Sequence, residues 1–136
     1  MPDVLVLDAS ALCKLIRNEP ESESVRAKIK THLEQGGAVW TEAFASIEVI
    51  TCARRAVDAG EGTQDALADA VREALNVARP MPRTNDDDMT GLLAVACDTG
   101  LTGPDARYIE LATGHRLLTF DSKQSKAATK RGIPLA

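Results

Sequence analysis

The sequence predicts an α/β protein with a central, mostly parallel β-sheet between two layers of helices. The chain starts with an apolar segment, Val4-Leu5-Val6-Leu7, that lacks alternation and leads directly into Asp8. Such a segment is typical of a strand buried on both faces of a parallel sheet. Helical patterns then alternate with short strand-like segments. A second strand-like segment, residues 116–120, also leads into an aspartate, Asp121.

Local start and stop signals set the remaining elements. Proline at the start of a helix and glycine after its end are the strongest of these signals. The predicted helices span residues 9–16, 20–35, 43–59, 64–78, 86–97, 104–113 and 122–131, and the predicted strands span 4–7, 38–41, 81–84 and 116–121. The helix over 20–35 is rich in Glu and Lys, so we expect it to be mostly exposed. The prolines of 81–84 favour an edge strand.

Length and composition favour one globular domain over residues 1–136. Hydrophobic residues make up 44% of the chain and aromatic residues 3%, which predicts a mainly aliphatic core. No apolar run has the length of a membrane span, and no basic region precedes the first apolar run, so we expect neither a membrane segment nor a signal peptide. We expect Cys13, Cys52 and Cys97 to be buried, reduced thiols of a cytoplasmic protein.

The charge is unevenly distributed along the chain. The formal net charge is −4, with 17 acidic against 10 basic residues in 1–104 and three acidic against six basic residues in 105–136. A basic C-terminal quarter is compatible with a polyanionic ligand, because the local field governs such binding.

The two strand ends predict a cluster of acids. Carboxyl ends of parallel strands meet at one edge of a sheet, where α/β folds bind ligands, so Asp8 and Asp121 are expected to lie close together. Two neighbouring carboxylates repel each other unless a cation lies between them. Hydrated Mg²⁺ or Mn²⁺ is the cation that such oxygen ligands favour. The alternative is that Asp8 only caps the following helix.

Two further acids are candidates for the same edge. Glu48 is flanked by Ile47, Val49 and Ile50, which predicts a half-buried carboxylate; the alternative is a rim residue paired with a nearby arginine. Asp105 follows Gly103-Pro104 in the first turn of a helix, where simple helix-start electrostatics is an equal explanation. We interpret Glu42 and the aspartates of 86–88 as solvated or capping residues.

Taken together, these segments resemble a known family. Val-Leu-Asp-Ala-Ser-Ala-Leu at 6–12, Ile-Glu-Val at 47–49, Pro-Asp-Ala-Arg-Tyr-Ile-Glu-Leu-Ala at 104–112 and Leu-Leu-Thr-Phe-Asp-Ser-Lys at 117–123 resemble, in order and spacing, a PIN domain. The closest resemblance is to the VapC-type ribonuclease toxins of bacterial toxin–antitoxin pairs, and it covers essentially the whole chain. Only the stretch 81–88, with its triple aspartate, is atypical.

The resemblance implies a PIN-like three-layer α/β/α fold and a metal-dependent endoribonuclease. The acidic quartet would be Asp8, Glu48, Asp105 and Asp121, with Mg²⁺ or Mn²⁺ held by Asp8, Asp105 and Asp121. Ser10 and Thr119 match the small hydroxyl positions that support such a site. The resemblance also implies RNA as substrate, a cognate antitoxin protein as partner, and a homodimer.

Basic residues flank the proposed site. Lys123, Lys126 and Lys130 recur at helical spacing directly after Asp121 and predict a track for an RNA backbone. The alternative is a solvated helix face. Further phosphate contacts are expected from Lys14, Arg17 and Arg107. His32, placed on an exposed helix, and His115, placed in a turn, do not suggest histidine catalysis, although His115 could touch substrate.

Two other functions are compatible with parts of the pattern. A phosphatase with Asp8 as nucleophile would require a second aspartate two residues later, where this chain has Ser10. A catalytically silent PIN-like module that binds RNA or protein would not require the complete quartet. The sequence therefore favours a ribonuclease toxin, and RNA cleavage with an Asp8→Asn control separates the three.

Overall fold

The computed structural model describes residues 2–82 and 89–136, and in them the chain forms four strands and seven helices. The strands are β1 (Val4–Leu7), β2 (Ala38–Glu42), β3 (Arg79–Met81) and β4 (Arg116–Leu118). The helices are α1 (Ala9–Ile16), α2 (Ser22–Glu34), α3 (Ala45–Asp58), α4 (Gln64–Val77), α5 (Met89–Thr99), α6 (Gly103–Ala112) and α7 (Ser122–Lys130).

The sheet is fully parallel and has the strand order β3-β2-β1-β4. Strand β1 lies between β2 and β4, and its Val6 pairs with Trp40 of β2 on one side and Leu117 of β4 on the other. All four residues of β1 are buried, as its uninterrupted apolar sequence predicts for a strand with neighbours on both sides. The carboxyl ends of β1 and β4 therefore open at the same edge, with Asp8 and Asp121 just beyond them.

The helices form two layers, which confirms the predicted three-layer α/β/α fold. Helix α1 contacts α2, α3 and α4, and α3 contacts α4. On the other face, α6 contacts α5, α7 and strands β1, β2 and β4. The buried aliphatic side chains form one core cluster in which β1 is fully included. Because α1 and α7 each begin where a strand has just ended, the layers bring helix N-termini to the acidic edge of the sheet.

Helix α2 follows the sequence-based expectation, and strand β3 departs from it. Helix α2 is mostly exposed, as predicted, and only Ser22, Val25, Ile29 and His32 are buried on its inner face. Strand β3 ends at Met81 rather than beginning there, because Arg79 to Met81 continue the ladder beside β2. The predicted start of α5 in the triple aspartate lies outside the described residues.

The cysteines only partly match the prediction of buried thiols. Cys52 is buried and Cys13 is half-buried, and both are free thiols. The prediction that Cys97 is buried is wrong, because Cys97 lies on an exposed face of α5. Within residues 2–82 and 89–136, no helix combines the length and apolarity needed to cross a bilayer.

Candidate active site

Asp8 is a buried acid at the carboxyl edge of the sheet. Its side chain is 3% exposed and is the N-cap of α1, where Oδ1 accepts a hydrogen bond of 3.0 Å from the backbone N–H of Ala11. Burial raises the pKa of Asp8; hydrogen bonds from Ser10, Thr119 and Ala11 act in the opposite direction, and the charge of Asp121 raises it further. Asp8 therefore both caps α1 and lies at the acidic edge of the sheet.

Two hydroxyls fix the orientation of the Asp8 carboxylate. Ser10 Oγ donates to Asp8 Oδ1 at 2.6 Å, and Thr119 Oγ1 donates to Asp8 Oδ2. Each hydroxyl also accepts a backbone hydrogen bond from the loop between β4 and α7, from Phe120 to Ser10 at 2.8 Å and from Asp121 to Thr119 at 3.0 Å. Ser10 and Thr119 therefore hold Asp8 and the segment that carries Asp121 together.

Asp121 is the N-cap of α7. Its Oδ1 accepts hydrogen bonds from the backbone N–H groups of Lys123 at 2.8 Å and Gln124 at 3.0 Å. The positive end of the helix offsets part of its charge. The carboxylates of Asp8 and Asp121 lie within electrostatic reach of each other, as expected for the ends of neighbouring parallel strands.

Asp105 reaches the same edge from the first turn of α6 and is held there by a residue of α7. Gln124 is 1% exposed, and its Nε2 donates to the backbone carbonyl of Asp105 at 3.1 Å and to Oδ1 of Asp105 at 3.5 Å. The Oε1 atom of Gln124 is buried without a hydrogen-bond partner in the part of the chain that the structure describes. An oxygen desolvated in this way is costly unless something binds it.

Glu48 lies in the first turn of α3 and pairs with a tyrosine. Tyr108 of α6 donates to Glu48 Oε1 at 2.7 Å. Burial raises the pKa of Glu48, the hydrogen bond from Tyr108 lowers it, and the charge of Asp105 raises it. Burial and the Glu48 carboxylate also raise the pKa of Tyr108, so its hydroxyl stays a donor. Glu48 and Asp105 thus form a second pair of mutually repelling acids.

Tyr108 links the two acid pairs, because its hydroxyl also feels the charge of Asp8. The four predicted acids therefore come from α3, α6 and the ends of β1 and β4 to one edge. In residues 2–82 and 89–136, no three Asp, Glu, His or Cys side chains converge closely enough to form a ready-made metal cluster. The residues that could hold a metal are the Asp8–Asp121 pair and the neighbouring Asp105.

Sequence reasoning missed Tyr108 and Gln124. Each follows a predicted acid by three residues on the same helix, Tyr108 after Asp105 and Gln124 after Asp121. Residues three apart lie on one helix face, so the spacing was the available signal.

Arg107 and Glu42 differ from their predicted places. Arg107 is buried, with Nε 2.9 Å from Glu42 Oε2 and Nη1 2.9 Å from Glu110 Oε1. A phosphate contact from Arg107 would require breaking both ion pairs, so we remove it from the RNA-binding set. Glu42 is not a solvated cap, because its carboxylate is buried against Arg107.

The predicted RNA contacts on and after α1 are both paired with acids. Lys14 is paired with Glu19 at 3.4 Å and Glu21 at 3.0 Å, and Arg17 is paired with Glu61. These partners reduce the charge that Lys14 and Arg17 can offer to a phosphate.

The three lysines of α7 line one groove of about 340 Å³ together with Thr99, Gly100, Leu101 and Ala127. Lys130 is partly neutralised by Asp98, whose Oδ1 lies 3.3 Å away. Lys123 and Lys126 have no ion pair within the described ranges 2–82 and 89–136. The open positive charge of this groove is therefore concentrated at its end nearest Asp121.

Neither histidine lies at the acidic edge. His32 is buried: its Nε2 lies 2.9 Å from the carbonyl of Ala38 and 3.1 Å from that of Asp3, and its Nδ1 accepts from Arg116 at 2.9 Å. A Cβ at Gly37 would lie 2.3 Å from the imidazole, so glycine is required there. The expectation of an exposed His32 is wrong. His115 directly precedes β4 and makes an edge contact with Trp40. It therefore lies at the amino end of β4, whereas Thr119 lies at the carboxyl end.

Comparison with known proteins bears on the family and the fold. The family model described as PIN domain matches residues 5–130. Among solved structures, the crystal structure of PAE2754 from Pyrobaculum aerophilum matches with a TM-score of 0.67 and 24% sequence identity, over 99% of this chain and 92% of that one. At this identity the likeness supports a shared fold alone. A search of curated proteins finds no match.

Proposed function

From the premise that this chain belongs to the PIN domain family, we propose that it is a metal-dependent endoribonuclease. PIN domains are generally nucleases, so family membership indicates a nuclease-type function. The observation that carries the proposal is the presence of two acid pairs, Asp8 with Asp121 and Glu48 with Asp105, which Tyr108 links at the carboxyl edge of the sheet. Burial and mutual repulsion raise the pKa of Asp8 and of Glu48, which is costly for a protein that does not use these charges.

The donor set fits a hard divalent cation. Every candidate ligand is an oxygen, and Asp8 and Asp121 repel each other until a positive charge lies between them. Mg²⁺ and Mn²⁺ keep several waters and need only one or two direct carboxylates, so three converging acids are not required. We assign Asp8, Asp105 and Asp121 as the residues that would hold Mg²⁺ or Mn²⁺. Such an ion supplies a nucleophilic water and neutralises charge on the phosphodiester.

The remaining residues of the edge position these acids. Ser10 and Thr119 orient Asp8 through their hydroxyls, and Gln124 orients Asp105 through its amide. Tyr108 holds Glu48 on the side of the pocket that faces Asp105. We assign Glu48 the task of orienting the attacking water and accepting its proton, because it is not among the assigned metal ligands and burial raises its pKa.

We further propose that the protein is the toxin of a type II toxin–antitoxin pair that inhibits growth by cleaving RNA. The resemblance of its four acidic segments to VapC-type toxins supports this. A cognate antitoxin would silence the enzyme by inserting an Arg or Lys side chain among Asp8, Glu48 and Asp121, where guanidinium and carboxylates pair well. The antitoxin and RNA would then compete for the same edge.

RNA cleavage with defined metals tests the proposal. We expect the purified protein to cleave single-stranded RNA with Mg²⁺ or Mn²⁺ and not with EDTA, and Asp8→Asn to abolish cleavage. Asp69→Asn is the matched control, since Asp69 is an exposed acid paired with Arg72 on α4. RNA binding without cleavage by the unaltered chain would instead support a catalytically silent module. Cleavage that persists in Asp8→Asn would refute the assignment of the site.

A further inference from the structure

Phe120 is the one aromatic side chain that the structure leaves open at the acidic edge. The chain has one Trp, one Tyr and two Phe, all within the described residues. Tyr108 is buried, and Phe44 and Trp40 are partly buried, with edge contacts to Tyr108 and His115. Phe120 is 42% exposed. It stands in the chain between Thr119 and Asp121, both of which belong to the proposed site.

The position of Phe120 is fixed on both its backbone and its side chain. Its backbone N–H donates to Ser10 Oγ, which itself donates to Asp8. Lys14 Nζ lies 5.0 Å from the centroid of the Phe120 ring, in a cation–π contact. Lys14 is in turn fixed by its ion pairs with Glu19 and Glu21. Lys14 therefore holds the apolar ring in place. The backbone of the same residue is hydrogen-bonded to Ser10, which orients Asp8.

We propose that Phe120 is a nucleobase subsite, on which a base adjacent to the cleaved phosphodiester stacks. This inference rests on the proposed ribonuclease function and specifies its substrate as single-stranded RNA, because the bases of a duplex are already stacked on one another. Along the chain, Asp121 stands between Phe120 and the lysines that line the α7 groove. A strand crossing the acidic edge would thus place a base on Phe120 and its backbone along Lys123 and Lys126.

A simpler role for Phe120 would be to shield the aliphatic stem of Lys14, since single exposed apolar residues are common on protein surfaces. The two roles predict different responses to the base. A shield is indifferent to whether the RNA carries a base at that position, whereas a stacking subsite loses affinity when the base is absent.

Binding of a fluorescent single-stranded oligoribonucleotide is measured by anisotropy in an Asp8→Asn background, which prevents cleavage. Phe120→Ala is expected to weaken binding about tenfold, within the range for one base on an aromatic side chain. Phe120→Trp should retain affinity, and Phe120→Leu should lose most of it, since leucine keeps an apolar side chain but has no π face. Leu33→Ala, which removes an exposed apolar side chain of α2, is the control and should change nothing.

A series of oligonucleotides, each with one abasic position, completes the test. At one position of the series, removal of the base should weaken binding to the protein that retains Phe120 about tenfold. The same removal should not change binding to Phe120→Ala, because the base and the ring contribute through one shared contact. In the otherwise unaltered chain, Phe120→Ala should raise KM for single-stranded RNA more than it lowers kcat. Equal loss from the abasic position in both forms, or full affinity in Phe120→Leu, would overturn the subsite. Absence of RNA binding and cleavage by the unaltered chain would instead overturn the proposed function itself.

Discussion

Thr119 and Asp8 are 111 residues apart in the chain and are joined by a hydrogen bond from Thr119 Oγ1 to Asp8 Oδ2. The same threonine oxygen accepts the backbone N–H of Asp121 at 3.0 Å. One hydroxyl therefore sets the position of two repelling acids relative to each other. This is possible because β1 and β4 are adjacent and parallel, so their ends emerge side by side.

Replacing Thr119 with valine tests this positioning role. Thr119→Val keeps the shape of the side chain but leaves Asp8 Oδ2 and the N–H of Asp121 without that partner. We expect kcat/KM for RNA to fall roughly 10- to 100-fold, the usual effect of a residue that orients a metal ligand. Unfolding in urea should show a loss of about 1–3 kcal/mol from the unsatisfied buried groups. Thr129→Val, at an exposed position of α7, is the control, and equal effects of the two substitutions would contradict the role of Thr119.

The acids at the strand ends could be predicted because their signal is local. A strand-like segment that leads into an aspartate occurs at Asp8 and at Asp121, and parallel topology brings the ends of both strands to one edge. Glu48 and Asp105 are on helices, where the spacing of residues indicates only which face of the helix they share. Their assignment to the acidic edge therefore came from the resemblance to a family. The parallel sheet brings Asp8 and Asp121 to one edge, and Tyr108 links Glu48 to them.

Partners that depend on tertiary contacts could not be predicted. Arg107 is two residues after Asp105 and was expected to face a phosphate, but α6 turns it towards the buried Glu42. His32 lies in a polar segment, yet the packing of α2 beside β2 buries its ring between backbone carbonyls. Long polar side chains reach partners distant in sequence, so local composition does not determine whether they are exposed.

Asp8→Asn should abolish cleavage without weakening the metal-free protein. The pKa of Asp8 is raised from 3.8 by burial, so between 3.8 and the raised value the folded state keeps a proton that the unfolded chain has released. Stability of the unaltered chain therefore falls as pH rises through that window. Asparagine carries no charge and remains a good N-cap. Thermal melts in EDTA should show an Asp8→Asn advantage that is largest near neutral pH, shrinks as pH falls through that window, and no longer changes with pH below 3.8.

Asp98→Asn is the control with the opposite sign. Hydrogen bonds from Arg131 and Lys130 hold the pKa of Asp98 below its ordinary value, so its contribution to stability is present above that value and is lost on acidification. Asp98→Asn should therefore be the less stable form near neutral pH. A melting temperature of Asp8→Asn well below that of the unaltered chain at neutral pH would mean that Asp8 acts mainly as a structural cap.

The exposed apolar face of α3 is our proposed homodimer contact. Ile47 is 74% exposed and Ile50 is 54% exposed, and the two are three residues apart on one face. We expect the unaltered chain to have the mass of a dimer by light scattering at micromolar concentration. Ile47→Lys should give a monomer with the same helix content, because it introduces a charge into an apolar contact. Leu33→Lys on α2 should leave the mass unchanged, and a monomeric unaltered chain would contradict the proposal.

The lysine groove of α7 should govern the salt dependence of RNA binding. Lys123 and Lys126 have no ion pair in residues 2–82 and 89–136, whereas Lys130 already contacts Asp98. Each phosphate contact to single-stranded nucleic acid contributes roughly 0.7 units to the slope of log affinity against log salt. Lys123→Ala with Lys126→Ala should therefore flatten the slope by roughly 1.4 units, and adding Lys130→Ala should change it little further. Lys28→Ala with Lys30→Ala on α2 removes the same charge away from the site and is expected to leave the slope unchanged. An equal change of slope in both double variants would mean that only the net charge of the protein matters, and that the α7 lysines form a solvated helix face.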